Sequence, residues 1–66
     1  MKNTIRVERA ILNISQAELA ERVQVTRQTI NAIELSKYVP SAALAMKIAR
    51  VFGKKVEEVF DLEEGD

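Results

Sequence analysis

The chain has 66 residues, of which 47% are apolar and 30% charged, and its ten basic and ten acidic side chains give a formal net charge of zero. A domain of ~60 residues buries only about 60% of the surface of its unfolded chain, so a chain of this length forms one small domain that a dimer contact would stabilise. The sequence contains no His and no Cys, which excludes disulfides, thiolate metal sites and the commonest general base. We therefore expect no catalytic residue, no metal and no cofactor.

The first predicted helix covers residues 4–12, which contain no helix-breaking residue. One side of this helix, at helical spacing, carries Ile5, Arg9 and Leu12. Val7 and Ile11 form an apolar pair nearby, at i and i+4. The sequence therefore leaves open which face of the first helix is buried.

The second and third helices begin at recognisable N-caps. Ser15 and Glu18 form a capping box, in which the hydroxyl accepts an N–H and the carboxylate reaches back to the start of the helix. Thr26 is a good N-cap for a third helix that ends near residues 35–36. The predicted inner faces of these two helices consist of Leu19, Ala20, Val23, Ile30 and Ile33.

The C-terminal third contains a longer helix and a short one. Pro40 and Ser41 begin the fourth helix, and Gly53 is the expected residue just after its end. Its apolar face consists of Leu44, Ala45, Ile48, Val51 and Phe52. A last helical turn contains Val56, Val59 and Phe60. Since no segment alternates between apolar and polar residues, strands are not expected. We predict a compact all-α domain of five helices over residues 1–60, followed by an acidic tail over residues 61–66.

The segment 16–35 has the spacing of a helix-turn-helix. Its apolar positions are Leu19, Val23, Val25, Ile30 and Ile33. Ala20 is small enough for two helices to cross closely, and Gln24 lies in the turn between them. In such a motif the second helix enters the major groove of DNA, so double-stranded DNA is the predicted partner.

This segment, SQAELAERVQVTRQTINAIE, resembles the helix-turn-helix of the Xre/Cro family. The resemblance extends to IRVERA before the motif, and to KYVPS and ALAMKIARVFGKKVEEVF after it. It implies a five-helix fold like the DNA-binding domain of lambda repressor and a protein that binds DNA as a homodimer. Three residues depart from the family pattern, because Gln24 and Ser36 stand where the family favours Gly, and Glu8 where many members have Leu.

The outward side of the third helix carries the candidate base-reading residues. Arg27 can donate two hydrogen bonds to guanine, and Gln28 or Asn31 can pair with adenine. Thr29 is left open between capping, packing and a contact to DNA. The alternative for all of them is an ordinary solvated helix face.

Four further residues are candidates for contacts to the DNA backbone, which position a protein without reading sequence. Gln16 lies in the first turn of the second helix, where N–H groups attract a phosphate. The resemblance implies that Gln16 also supports Gln28. Lys37 and Tyr38 follow the third helix, and Thr26 is mainly a cap that can also contact a phosphate.

Two sets of residues are predicted to be structural. By resemblance, Arg9 and Glu34 form an ion pair between the first and third helices. Val56, Val59 and Phe60 either close the core or contribute to a dimer interface.

The neutral net charge hides a segregation. Residues 1–56 contain ten basic and four acidic side chains, a net of +6, and residues 57–66 contain six acidic ones, a net of −6. The neutral total therefore does not argue against DNA as a partner. With the helix-turn-helix and the expected homodimer, we predict a cytoplasmic transcriptional regulator that acts as a repressor on a palindromic operator. The alternative is a protein-interaction module of the antitoxin or repressor-antagonist type. A membrane partner is not expected, since the longest apolar run, residues 42–46, is far shorter than the ~20 residues of a spanning helix. An enzyme is not expected because the sequence has no His, no Cys and no Gly-rich phosphate loop. A small-molecule ligand is not expected because 66 residues leave no room for a ligand-binding domain.

Overall fold

The computed structural model describes residues 1–66 and contains five helices and one two-stranded ribbon. The helices are α1 (Ile5–Leu12), α2 (Gln16–Arg22), α3 (Arg27–Glu34), α4 (Ala42–Val51) and α5 (Val56–Val59). The strands are β1 (Lys2–Asn3) and β2 (Phe60–Asp61). The predicted five-helix architecture is confirmed, and none of the helices is long and apolar enough to cross a membrane.

The core is formed by side chains from all five helices and from β2. Its buried apolar members are Ile5, Leu19, Ala20, Val23, Ile30, Ile33, Ala45, Ile48, Ala49, Val59 and Phe60. The predicted inner faces of α2 and α3 are confirmed in full. On α1, Ile5 is buried, whereas Leu12 is the last residue of the helix and is 44% exposed. In α4, Leu44, Val51 and Phe52 are partly buried against this core.

The ribbon corrects the expectation that the chain has no strands. β1 and β2 pair antiparallel, with Lys2 opposite Asp61 and Asn3 opposite Phe60. Each strand has only two residues, too few for a visible alternation, and the pairing joins segments almost sixty positions apart. Phe60 therefore belongs to β2 and not to the last helix.

α2, α3 and α4 each begin with a hydroxyl cap. The side chains of Ser15, Thr26 and Ser41 accept the backbone N–H three residues further on, at 3.0, 3.2 and 3.2 Å. Only half of the predicted capping box is present, because the Glu18 carboxylate accepts a hydrogen bond from Arg22 at 2.6 Å instead of reaching back. A charged guanidinium one turn away is the stronger partner for that carboxylate.

The first four helices end on a residue with left-handed backbone. These residues are Asn13 (φ 57°), Gln24 (φ 62°), Ser36 (φ 60°) and Gly53 (φ 66°). In each case the backbone N–H groups of this residue and of the next one donate to carbonyl oxygens in the last turn of the helix. Left-handed backbone is unfavourable for residues with a Cβ, and Asn tolerates it better than most. Strain is therefore concentrated at Gln24 and Ser36, the two positions where the family favours Gly.

Glu8 settles which face of α1 is buried. Its side chain is 8% exposed, and its Oε2 atom lies 2.8 Å from Lys54 Nζ, in the loop between α4 and α5. Val7 and Ile11 are 59% and 69% exposed, so the apolar pair faces solvent. The hydrogen bond and the negative charge of Glu8 raise the pKa of Lys54.

The acidic end of the chain is attached to the N-terminus. The Met1 amino group lies 3.0 Å from Asp66 Oδ1 and 3.2 Å from Glu63 Oε1. The carbonyl oxygen of Met1 accepts a hydrogen bond from Ser36 Oγ at 3.0 Å, just beyond α3. The expected division between residues 60 and 61 falls inside β2.

Candidate nucleic-acid interface

One side of α3 is buried and the opposite side faces solvent. Ile30 and Ile33 are 0% and 1% exposed, and they anchor the helix in the core. The three candidate base-reading residues, Arg27, Gln28 and Asn31, are all exposed. Because the buried side holds the helix, these polar side chains project from a rigid element.

Thr26 and Thr29 together form the start of α3. The Thr29 N–H donates to Thr26 Oγ1 at 3.2 Å, and the two hydroxyl oxygens are 3.0 Å apart. The structure therefore places Thr29 as a partner of the cap, with its side chain half-buried.

Gln16 connects the first turn of α2 to the exposed side of α3. Its Nε2 atom donates to Asn31 Oδ1 at 3.1 Å, and its Oε1 atom accepts from Arg27 Nη1 at 3.4 Å. We expected Gln16 to support Gln28, but its side-chain hydrogen bonds go to these two residues instead. Arg27 and Asn31 are four positions apart on α3, so one amide in α2 reaches both of them.

A polar trough of about 680 Å³ lies where α1, α2 and α3 meet. It is lined by Asn3, Arg6, Arg9, Ser15, Gln16, Ala17, Arg27, Asn31, Glu34 and Leu35. Three arginines and a single carboxylate give the trough a net positive charge. Its shape and charge suit a polyanion whose negative groups lie close to α3.

The one carboxylate of the trough is paired. Arg9 Nε and Nη2 donate to the two oxygens of Glu34 at 2.8 and 3.1 Å, and Arg9 Nη1 donates to the carbonyl oxygen of Ile14 at 3.2 Å. The side chains of Arg9 and Glu34 are 15% and 7% exposed. The structure thus joins these two residues in a bidentate pair that ties α1 to α3 and neutralises the floor of the trough.

Arg6 is a candidate that our sequence analysis missed. It is exposed, lines the trough, and takes part in none of the ion pairs of the structure. The sequence could have indicated this role, because Arg6 lies three residues before Arg9 and therefore on the same side of α1. With Arg9 neutralised by Glu34, Arg6 and Arg27 supply the free positive charge.

Lys37 and Tyr38 lie beyond the opposite end of α3 from Arg27. Both are exposed, Tyr38 at 49%, and neither lines the trough. They lie in the loop that leads from α3 to α4.

The residues considered for a dimer interface are on the α4–α5 side of the molecule. Val59 and Phe60 are only 2% and 7% exposed and belong to the core. For these two side chains the structure shows burial in the core, which was one of the two predicted alternatives. Val56 is half-buried and remains accessible.

Residues 5–59 of the chain match a family model described as helix-turn-helix. The chain belongs to this helix-turn-helix family. The match includes all five helices, and it confirms the resemblance to the Xre/Cro and lambda-repressor type.

Relatives within the helix-turn-helix family span nearly the whole chain. YgzD of Bacillus subtilis, named an uncharacterized HTH-type transcriptional regulator, is 53% identical over 64 residues, 97% of each chain. MJ0272 of Methanocaldococcus jannaschii, named in the same way, is 48% identical over 66 residues, the full length of both chains. A third such regulator, from Methanothermobacter thermautotrophicus, is 51% identical over 97% of this chain and 94% of its own. The chain is therefore a member of a family of transcriptional regulators. Transcriptional regulation is a non-enzymatic kind of function.

Proposed function

We propose that this protein is a sequence-specific, double-stranded-DNA-binding repressor that acts in the cytoplasm as a homodimer on a palindromic operator. The observation that carries the proposal is the exposed side of α3, where Arg27 and Asn31 are held by Gln16 beside a trough of net positive charge. Membership of a family whose relatives are named transcriptional regulators supports it.

In this proposal α3 lies in the major groove. Arg27 donates two hydrogen bonds to guanine, and Gln28 pairs with adenine, because these side chains match the donors and acceptors of the base edges. Asn31 contacts an adjacent base while Gln16 holds its amide in place. Holding polar side chains before binding reduces the entropy lost when they order on DNA.

The DNA backbone is contacted on both sides of α3. On one side Arg6 and Gln16 line the trough, and the cap residues Thr26 and Thr29 lie at the start of α3. On the other side Lys37 and Tyr38 follow the helix. Contacts of this kind set the register of a protein on the duplex and leave the reading of sequence to the bases.

Two copies on a palindrome would place their α3 helices in successive major grooves, with half-sites about one helical turn apart. A dimer bound in this way occupies duplex that polymerase would need, so occlusion is the mode of repression that we propose.

The experiment that tests the proposal is selection of bound duplexes from a random pool, followed by titration of the best duplex at several salt concentrations. We expect a palindromic consensus and an affinity that falls with salt along a log–log slope near −0.9 per neutralised phosphate. Recovery of no consensus, with an affinity indifferent to salt, would overturn DNA binding and favour the protein-interaction alternative.

A further inference from the structure

Arg27, Gln16 and Asn31 form a chain of two hydrogen bonds along the polar trough. Arg27 Nη1 donates to Gln16 Oε1 at 3.4 Å, and Gln16 Nε2 donates to Asn31 Oδ1 at 3.1 Å. Gln16 is half-buried, whereas Arg27 and Asn31 are exposed on α3. The chain therefore begins at a cation and ends at an exposed amide among the base-reading residues.

The guanidinium of Arg27 sets the direction of this chain. A guanidinium has hydrogen-bond donors and no acceptor, so the atom of Gln16 that faces it is the carbonyl oxygen. The Nε2 group of Gln16 then faces Asn31, and because an amide NH₂ group only donates, Asn31 presents its Oδ1 atom in return. If the amide of Gln16 were reversed, two donors would face each other at Arg27.

The acceptors of the trough do not compete for the amide of Asn31. Glu34 carries the only carboxylate of the trough, and both of its oxygens accept hydrogen bonds from Arg9. The side-chain oxygens of Asn3 and Ser15 accept backbone N–H groups. The Nδ2 group of Asn31 therefore keeps its two N–H donors available for a ligand.

We propose that this orientation makes Asn31 select a base with a keto oxygen in the major groove. Guanine and thymine present the oxygens O6 and O4 there, whereas adenine and cytosine present the amino groups N6 and N4. The free N–H groups of Asn31 can donate to a keto oxygen. The Oδ1 atom that an amino group needs as acceptor already faces Gln16. This inference rests on the DNA binding in the proposed function and names the class of base that Asn31 reads.

In this inference Gln16 is a positioning residue, because it acts on the base through Asn31. A glutamate at position 16 would reverse the second hydrogen bond, since a carboxylate only accepts. Arg27 would donate to one of its oxygens and Asn31 Nδ2 to the other. Asn31 would then direct its Oδ1 atom toward the duplex and favour adenine or cytosine. A carboxylate in the first turn of α2 also stabilises the helix end, so Gln16→Glu should fold.

The first test measures base preference on duplexes selected with the wild type. Asn31→Ala identifies the position that Asn31 reads, because the preference is lost there, and competition between duplexes with each of the four bases at that position follows. We expect the wild type to favour a keto base about tenfold, and Gln16→Glu to favour an amino base by a similar factor. Gln16→Met, which removes both hydrogen bonds, should discriminate between the two classes less than about twofold.

Ala17→Glu is the matched control for the added negative charge. Ala17 is the next residue of α2, is exposed, and also lines the trough. Because its side chain takes no part in the chain of hydrogen bonds, this variant should weaken the affinity for every duplex alike. Its preference for a keto base should stay within about twofold of wild type.

The second test examines the orientation of the amide in the absence of DNA. Nuclear magnetic resonance measures how fast the side-chain N–H groups of Asn31 exchange with water. We expect slower exchange and a downfield shift in Gln16→Glu relative to wild type, because these groups then donate to a carboxylate. In Ala17→Glu both quantities should match the wild type.

Three outcomes overturn the inference and leave DNA binding intact. One is a wild type that favours an amino base at the Asn31 position, and another is a keto preference that Gln16→Glu and Gln16→Met leave unchanged. The third is an Asn31→Ala variant that loses no preference at any position. If no duplex is selected, the proposed function fails. Slower exchange in Gln16→Glu would then support the orientation of the amide, and equal exchange in both proteins would reject the orientation as well.

Discussion

The two sides of this small molecule are stabilised by different interactions. On the recognition side, where α1, α2 and α3 meet, the exposed surface is polar and its side chains are fixed by directional bonds, such as those of Gln16. On the α4–α5 side the surface contains an apolar groove, lined by side chains such as Ala45, Val56 and Leu62. Hydrogen bonds hold polar side chains in place before a polar ligand binds. An apolar groove that is exposed to solvent is instead suited to packing against another apolar surface.

Two consecutive residues of α1 connect these sides. Arg9 pairs with Glu34 of α3 through two hydrogen bonds, and both side chains are mostly buried. Glu8 pairs with Lys54 through one contact of 2.8 Å, and the Lys54 side chain is 40% exposed. The contribution of an ion pair to stability therefore depends on the charge that remains when its partner is removed. A remaining charge that stays buried is costly, whereas one that can reach water is not.

The largest expected effect tests this point at Glu34. Glu34→Ala leaves the mostly buried guanidinium of Arg9 without its partner, and we expect the free energy of unfolding to fall by about 3 kcal/mol. Glu8→Ala is the matched control on the other side: Lys54 can return to water, so the loss should be clearly smaller than in Glu34→Ala. Urea denaturation monitored by circular dichroism measures both. Equal losses in the two variants would contradict the distinction between the pairs.

The second prediction concerns the polar surface of α3. Arg27→Ala should cost about 1–3 kcal/mol in binding the selected duplex and relax the preference at one base-pair position. Competition between duplexes that differ at single positions measures this loss. Lys47→Ala, which removes an exposed positive charge from α4 outside the trough, is the control. If Arg27→Ala instead weakens the affinity for every duplex equally, Arg27 does not read a base.

The third prediction compares the ends of α2 and α4, which have the same left-handed geometry. Gln24→Gly removes strain at φ 62° and should stabilise the fold by about 1 kcal/mol. Gly53→Gln introduces that strain at φ 66° and should destabilise the fold by about the same amount, because no heavy atom lies within 4 Å of a Cβ placed there. Thermal unfolding of both variants gives the two values, and effects of the same sign would refute the interpretation.

The smallest expected effect is that of a single phosphate contact in the trough. Arg6→Ala should weaken all duplexes alike and reduce the log–log salt slope by about one unit. Lys47→Ala again serves as control and should leave the slope unchanged. A slope identical to wild type in Arg6→Ala would place Arg6 outside the interface.

Part of this architecture could be predicted from local sequence, because helices are coded by neighbours in the chain. The periodicity of Leu19, Val23, Ile30 and Ile33 predicted their burial, since side chains three and four positions apart share a helix face. The hydroxyl caps and Gly53 predicted helix starts and an end for the same reason. The exposed positions of α3 followed directly from its buried ones.

The remaining features depend on contacts between distant segments, and only the tertiary structure decided them. The ribbon joins the two ends of the chain, where two residues on each side leave no local pattern. Glu8 is buried because Lys54 reaches it from the loop after α4, and Gln16 contacts Arg27 and Asn31 because of the angle at which α2 meets α3. The sequence alone could not decide whether Val59 and Phe60 belong to the core or to an interface, because their burial depends on residues from distant segments. Local sequence determined which residues form helices and which faces of those helices are apolar. The packing of the helices determined which polar groups meet. Such partners are set by positions in space and not by spacing along the chain.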